Sequence, residues 1–343
     1  MSKFKLEFTL KQHTPLIHFQ SDQSGATLRA TELKPKFDRF LIEIFEKEQI
    51  NYSNFLILGQ ERALDYKVKI STIGTINRSL PNRFMFFANN VIKNNRDKKY
   101  MVKASSIKVE FFSFNTIIMK YIKNFFEEFM LITNFGARST KGYGSFSKDS
   151  KNIETILKKY YPIVFKVINP NINKWETTVD TLHKKLKSGI NFKSYYKSLL
   201  FQYMCTRRIR WEKRKIKQEF PQLAQSKNGH APIDCNQQLN FRYIRAMLGL
   251  AGINEYQGKQ VVTITHKEKE IDRFASPIIY KIIDNNIYLL GNRSYEKIMD
   301  KTFIFALKEE EFEIKTPSQE EFDLYDFLKF VEKQENLISE VNQ

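Results

Sequence analysis

The sequence predicts an α+β protein of two domains, and three observations carry that reading. The chain has 343 residues, room for two domains of ordinary size. Hydrophobic residues make up 42% of it, enough to bury real cores. In the first half, segments of period-two and helical hydrophobic spacing follow one another as strand, helix, strand, strand, helix, strand.

The first strand is the unbroken alternation Lys3-Phe4-Lys5-Leu6-Glu7-Phe8-Thr9-Leu10-Lys11, which buries one face. A loop with Pro15, His18, Gly25 and Arg29 follows. Phe37, Phe40, Leu41, Ile44 and Phe45 then recur at helical spacing, so residues 35–48 are expected to be a helix with Pro35 in its first turn. Tyr66, Val68 and Ile70 give a second strand, and Ile107, Val109 and Phe111 a third, separated by a polar stretch that looks inserted around Asn89–Lys99. Ile118, Ile122, Phe125, Phe129 and Ile132 mark a helix from about 115 to 133. A Gly-rich turn over Asn134–Ser147 leads into a short fourth strand. This order is the ferredoxin-like, or split βαβ, pattern. Its sheet keeps one face free, and domains of the RNA-recognition (RRM-like) topology use that face for RNA.

In the second half, strands are expected at 161–168, Val261–Thr265, Ile278–Ile283 and Ile287–Leu290, with Asp284-Asn285-Asn286 as a hairpin turn. Helices are expected over about 174–218 and 240–250. A last helix starts at Pro317 with the capping box Ser318–Glu321 and continues through Phe322, Tyr325, Leu328 and Val331. The expected division is a ferredoxin-like domain over 1–150 and a helix-rich, more elaborated ferredoxin-like domain over 160–343. The polar residues of Lys148–Lys159 read as the linker.

The formal net charge is +18 and unevenly placed. Residues 306–343 carry −7, which leaves +25 on residues 1–305. Such an excess attracts a polyanion, nucleic acid first, although a Lys-rich composition alone gives the same sign. Thirty Phe and 16 Tyr supply cores and rings able to stack on bases. Cys205 and Cys235 form no CxxC pair, so neither a zinc site nor a disulfide framework is expected. No apolar run approaches a membrane span, and no signal-peptide pattern opens the chain. A cytoplasmic location is the resulting expectation.

The most informative segment is Gly136-Ala137-Arg138-Ser139-Thr140-Lys141-Gly142-Tyr143-Gly144-Ser145-Phe146. Its glycines permit positive φ, and Arg138 and Lys141 add charge beside exposed amides, a combination suited to phosphate. It is neither a Walker A loop nor a dinucleotide fingerprint. Lys141-Gly142-Tyr143-Gly144 matches the start of RNP1, but RNP1 belongs on a third strand and this run enters the fourth. Taken alone, the segment is equally a tight turn without a ligand.

Together with the helix that precedes it, this segment resembles the glycine-rich loop of RAMP proteins, the ferredoxin-like subunits of CRISPR systems. Thr14-Pro15-Leu16 and Leu28-Arg29-Ala30-Thr31-Glu32-Leu33-Lys34-Pro35-Lys36-Phe37-Asp38-Arg39-Phe40 resemble the start of the first subunit of the Cmr, or type III-B, effector. There Pro35 stands where the family usually has Gly. Arg242-Tyr243-Ile244-Arg245-Ala246-Met247-Leu248-Gly249-Leu250 and Arg273-Phe274-Ala275-Ser276-Pro277 are similar to segments in the second half of such subunits. The resemblance implies a non-catalytic subunit that helps hold guide RNA and target RNA near the guide's 3′ end. Its partners would be those RNAs and other Cmr subunits, in antiviral defence. No cofactor and no metal are implied.

The expected RNA-binding residues are Gly136, Arg138, Ser139, Thr140, Lys141, Gly142, Tyr143 and Gly144 in the loop, with Arg29, Lys34, Lys36 and Arg39 around the first helix. Tyr143 either supports a base or packs the loop. The run Thr206–Lys217 holds seven basic residues and one acid. On a helix, Arg207, Arg210, Arg214 and Lys217 share one face, so Arg207, Arg210 and Arg214 join the candidates. A solvated or partner-facing helix is the alternative for this run. Some RAMP relatives cleave repeat RNA without metal through a His, and His13 and His18 lie in the loop where one would sit. A metal-independent repeat-RNA endonuclease is therefore the alternative function. Asp22 shares that loop, where backbone subunits of these effectors carry a cleavage-supporting Asp.

Overall fold

Alternation over the first strand does what the sequence indicates. In β1 (Lys5–Gln12), Phe8, Leu10 and Gln12 are buried, while Lys5, Glu7, Thr9 and Lys11 point away. The computed structural model describes residues 3–18, 27–80, 100–148, 152–192, 194–223, 240–250, 253–256 and 260–341. Gly25, Asp22, Cys235 and the segment Asn89–Lys99 lie outside the described residues.

The chain forms two compact units, one of Met1–Tyr160 with Tyr280–Asn286 and one of Tyr161–Ile279 with Ile287–Gln343. In the first unit β1 is followed by β2 (Leu16–Ile17), α1 (Ala30–Lys47), β3 (Lys67–Ser79), β4 (Met101–Phe112), α2 (Thr116–Ile132), β5 (Phe146–Ser147) and α3 (Ile153–Tyr160). The strands are antiparallel in the order β3-β4-β1-β5, with β2 extending β4. Phe37, Phe40 and Phe45 of α1 and Phe126 and Phe129 of α2 pack with Phe8 and Phe111 of the sheet. The Phe8–Phe126 and Phe111–Phe126 ring centroids are both 4.7 Å apart. Each buried ring contributes roughly 1.5–3 kcal/mol of transfer free energy. Both helices thus cover one sheet face.

Three details differ from expectation. α1 begins five residues earlier than Pro35, which therefore sits inside the helix and forgoes one backbone hydrogen bond. Residues 153–160, expected to be linker, form α3, and its Leu157 is buried. β3 continues through exposed residues to Ser79 across a register shift between Ile73 and Ile76.

The second unit comprises β6 (Ile163–Val167), α4 (Trp175–Lys187), β7 (Ile190–Phe192), β8 (Ser194–Tyr196), α5 (Leu199–Thr206), β9 (Ile209–Trp211), α6 (Glu212–Glu219), β10 (Asn240–Arg242), β11 (Ile253–Tyr256), β12 (Gln260–His266), β13 (Ile278–Ile283), β14 (Asn286–Gly291), β15 (Thr302–Leu307), β16 (Glu310–Lys315), α7 (Leu324–Glu335) and β17 (Ile338–Glu340). Its strands form the sheets β13-β14-β6-β17 and β11-β12-β15-β16, the hairpin β7–β8 and the parallel pair β9–β10. Residues 280–286 of the β13–β14 hairpin are grouped with the first unit. The expected helix over 174–218 is broken twice, by the β7–β8 hairpin and by Arg208 in the left-handed region at φ 61°. The expected helix over 240–250 is a strand, β10, and a short 3₁₀ turn at Ile244–Leu248. Half of the Ser318–Glu321 box forms, with the Ser318 N–H donating to Glu321 Oε2 at 2.9 Å while the Glu321 N–H goes to the Ser318 carbonyl, and α7 itself starts after Asp323. Cys205 is held in a disulfide, against the expectation of no disulfide framework. Among the described residues no helix is long and apolar enough to cross a membrane.

Candidate nucleic-acid interface

The Gly-rich segment is a closed loop whose base is an antiparallel bridge between Asn134 and Ser145. The Phe135 N–H donates to Gly144 O at 3.0 Å across it. Two glycines are required by packing inside the chain. Gly136 has φ 74°, and a Cβ there would stand 2.6 Å from Ile17 O; at Gly144, φ 65°, it would stand 2.0 Å from Phe135 O. The glycines therefore serve close approach of backbone to backbone.

Residues from the β1–β2 connection hold the loop from one side. Thr14 Oγ1 donates to Gly142 O at 2.6 Å and accepts from the Ser145 N–H at 2.9 Å. The Gly144 and Ala137 N–H groups donate to Pro15 O and Ile17 O, each at 2.8 Å. The first turn of α1 holds it from another side. Glu32 Oε1 accepts from the Gly136 N–H at 2.7 Å and from Lys36 Nζ at 2.9 Å. Lys36 Nζ also donates to Asn134 O at 3.2 Å and lies 4.9 Å from the centre of the Phe135 ring. Inside the loop, Asn134 Nδ2 donates to Ser139 O at 2.7 Å.

This frame presents a short turn at Ser139–Lys141, entered through Arg138 at φ 56° and left through Gly142 at φ 87°. Among the described residues, neither the N–H nor the hydroxyl of Ser139 or Thr140 has a hydrogen-bond partner, and both residues are half-exposed. Successive amides after a left-handed residue form a concavity that binds anions. The Arg138 guanidinium lies 5.7 Å from the Tyr143 ring centre and the Lys141 ammonium 5.8 Å from that of Tyr280. Tyr143 is buried and fills the loop, the packing side of the two roles expected for it.

The helix cations divide. Arg29, half-exposed, stands at the start of α1, where its carbonyl accepts the Leu33 N–H at 2.9 Å. Lys36 is bound into the loop frame, and Arg39 is exposed one turn further on. Lys34 is spent internally: its ammonium donates to Asp38 Oδ2 at 2.7 Å and Leu64 O at 2.8 Å, over the Tyr66 ring. Burial raises the pKa of Asp38, and Lys34 opposes that rise.

In the second unit the run 206–217 presents no single helical face. Arg207 follows the end of α5, where it pairs with Asp326 at 3.2 Å and lies over the Tyr203 ring. Arg210 is half-exposed on β9, and Arg214 is half-exposed on α6 with no partner among the described residues. The same unit holds a cationic cluster that spacing does not reveal. The buried Glu212 pairs with Arg245, Lys187 Nζ donates to Gly249 O at 2.7 Å, and Lys213 Nζ donates to Ser188 O at 3.4 Å. Burial, with the Arg245 charge adding to it, pulls both lysines down to about 8.

Both histidines of the first loop are engaged. His13 Nδ1 accepts the Asp284 N–H at 3.1 Å, which leaves Nε2 to donate to Ser147 Oγ at 2.7 Å. Its ring is 3% exposed, and burial, followed by the Lys281 charge, lowers its pKa to about 4. His18 Nε2 donates to Thr27 O at 2.7 Å, with Nδ1 4.0 Å from Glu32. Burial lowers its pKa too. Among the described residues, His266, Glu268 and Glu270 bring three possible metal-ligand atoms within 4.8 Å of one another. His266 is buried, both carboxylates are exposed, and His266 Nδ1 already accepts the Glu270 N–H at 3.3 Å.

Beneath the loop lies Lys281, which is fully buried. Its ammonium donates to the carbonyls of Met130 and Thr133, both at 2.8 Å, and of Phe146 at 3.3 Å. Three N–H donors meet three acceptors, two of them at the C-terminal end of α2, where the helix dipole favours a cation, and the third on β5. Its one sequence signal is a charge inside the apolar run Ile278–Ile283. Glu32 and Thr14 are marked only by the helix-opening Arg29…Glu32 pair and the Thr-Pro-Leu step.

The model of the Cmr1 N-terminal domain matches residues 3–190, and that of the Cmr1 C-terminal domain matches residues 195–343. No curated protein matches. A chain of a solved structure, the cryo-EM structure of the Type III-B Cmr-beta bound to cognate target RNA, is similar at 13% identity and TM-score 0.30. The match covers 42% of this chain and 58% of that one, so the chain spans little more than half of that relative's length. The crystal structure of Cmr1 from Pyrococcus furiosus (apo form) is similar at 12% identity and TM-score 0.46, over 98% of each chain.

Proposed function

The chain belongs to the Cmr1 family, whose two domain models together match nearly its whole length, and from that premise we propose that it is a non-catalytic RNA-holding subunit of a type III-B CRISPR effector. Its partners in this reading are guide RNA, target RNA and other Cmr subunits. It holds RNA near the guide's 3′ end, within a cytoplasmic ribonucleoprotein. The observation that carries the RNA contact is the turn at Arg138–Lys141: unpartnered amides and hydroxyls at Ser139 and Thr140, beside Arg138 and a Lys141 whose ammonium nitrogen is buried, in a loop braced on three sides. The +25 charge on residues 1–305 supplies the long-range attraction. Guide pairing reads sequence, and the protein holds backbone and shape.

The strand order β3-β4-β1-β5 with both helices on one face supports a ferredoxin-like first unit. A second, elaborated ferredoxin-like domain is proposed for the second unit, with its four-stranded sheets as the support. The hydrogen bonds of His13 and His18 support holding over cutting, because a general base needs a ring nitrogen that faces substrate.

The test is fluorescence anisotropy with a labelled guide-like RNA across a salt series. Replacing Arg138 and Lys141 by Ala is expected to weaken binding at least tenfold. The slope of log affinity against log salt should fall by about 1–2, roughly one counterion per lost cation. Unchanged affinity and slope would remove the loop from the RNA path.

A further inference from the structure

We propose that the rim of the first unit's open sheet face carries a second RNA contact, a stacking platform for unpaired bases made by Phe112 and Phe114. It is separate from the Gly-rich loop.

The sheet register builds it. On β4, Phe112 is paired across to Lys5 of β1 and to Lys67 of β3. Directly opposite residues share a sheet face, so a solvent-facing ring stands in register between two lysines. The next row along the face is Lys69, Glu110 and Glu7. Those two acids are already neutralised. Lys5 Nζ stands 2.7 Å from Glu7 and 2.6 Å from Glu110, and Lys108 Nζ stands 2.9 Å from Glu7. Lys67 and Lys69 are exposed with no ion-pair partner among the described residues, and Lys3 Nζ lies 5.1 Å from the centre of the Phe4 ring. The rim therefore keeps a net positive charge.

The rings are held outward by their backbone. Phe114 is 79% exposed and Phe112 37% exposed. Their centroids are 5.0 Å apart at 79°, and Phe4 meets Phe114 edge-on at 5.9 Å. On one side of Phe114, the Ser113 N–H donates to Phe4 O at 3.2 Å and its hydroxyl to Asp65 O at 2.8 Å. On the other side, Asn115 caps α2, accepting the Ile117 and Ile118 N–H groups at 3.0 and 3.2 Å. Beyond its contacts with Phe4 and Phe112, Phe114 leaves most of its ring in water at a pinned corner, which suits a planar partner. Lysine is depleted at the core of protein–protein interfaces, whereas aromatic rings interleaved with cations are what single-stranded RNA uses for its bases and phosphates. RNA-recognition sheets likewise place stacking aromatics on their central strands, and β4 is central here.

The experiment uses the full chain and a short single-stranded oligoribonucleotide carrying 2-aminopurine, with a duplex of the same sequence as control. Wild-type protein should quench the 2-aminopurine. Phe114→Ala should abolish the quench and weaken single-strand binding about tenfold, with duplex binding unchanged and the thermal midpoint preserved; Phe114→Trp should retain both. Lys67→Ala should weaken binding and keep the quench. The Arg138/Lys141 double-alanine variant is run alongside: if it loses RNA while Phe114→Ala binds and quenches as wild type, the platform is wrong and the loop stands. If Phe114→Ala fails while the loop variant binds normally, the platform stands and the loop falls. Should Phe114→Ala leave RNA binding intact but block association with other effector subunits, the rim is a protein-docking face and the proposal is overturned.

Discussion

The Glu32 carboxylate accepts the backbone N–H of Gly136 at 2.7 Å, across 104 residues of chain. The same oxygen takes the Lys36 ammonium, so one side chain on α1 fixes both the loop and the cation beside it. Glu32→Ala is expected to cost about 1–3 kcal/mol in chemical denaturation, since it strands a charged-group hydrogen bond and frees Lys36. Hydrogen exchange at Gly136 should accelerate with it. Glu32→Gln keeps an acceptor for the amide and should recover most of the loss. Equal stability of both variants with wild type would show that the loop is held without Glu32.

Gly144→Ala should be severely destabilising, by about 3 kcal/mol or more, because a methyl group 2.0 Å from Phe135 O forces the loop base open in addition to the strain of positive φ. Gly59 is the internal control. It has φ 76° but nothing within 4 Å of an added Cβ, so Gly59→Ala should cost only about 1 kcal/mol. Similar losses for the two variants would mean that close backbone packing is not what the loop glycine supplies.

Acid stability should carry a His13 signature. With its folded pKa lowered to about 4 from 6.5, the unfolded chain binds the proton more readily between those values. The stabilisation is complete above about pH 6.5 and is lost as pH falls toward 4, up to about 3 kcal/mol. His13→Asn should flatten the stability–pH curve in that window. The groups around the ring are Lys281, Asp284, Lys11 and Lys103. An unchanged slope would place the titration elsewhere.

Lys281→Met keeps the length of the side chain but leaves the Met130, Thr133 and Phe146 carbonyls without a donor. The expected loss is about 2–5 kcal/mol, together with faster exchange in the last turn of α2. A variant as stable as wild type would show that water replaces the ammonium.

What could be read from sequence was local. β1, β4 and α2 each bury one regular face, so Phe8, Ile107 and Ile122 announce their own elements, though in α2 it is Phe126 and not the expected Phe125 that is buried. The β15–β16 hairpin is not legible in the sequence because Phe303 and Phe305 alternate with Ile304 and Ala306, which are themselves apolar and hide the period. The long helix expected over 174–218 failed at Gly189, whose φ is 77° and whose Cβ would lie 2.5 Å from Tyr196 O, and at left-handed Arg208. The loop at 136–146 was legible from its glycines and cations. Its holders were not, since Thr14, Glu32 and Lys281 act across more than a hundred residues and no spacing encodes that.

The position of Lys281 in the chain has a bearing on biosynthesis. When a ribosome has released residues 1–160, the carbonyls at the end of α2 still lack their cation. About 120 more residues must be translated before it emerges, on the order of ten seconds at usual elongation rates. The nascent first unit therefore waits in an unfinished state, with its loop seated on an open end. Order of translation is not order of completion in this protein, and a fragment cut at residue 160 is an intermediate rather than a domain.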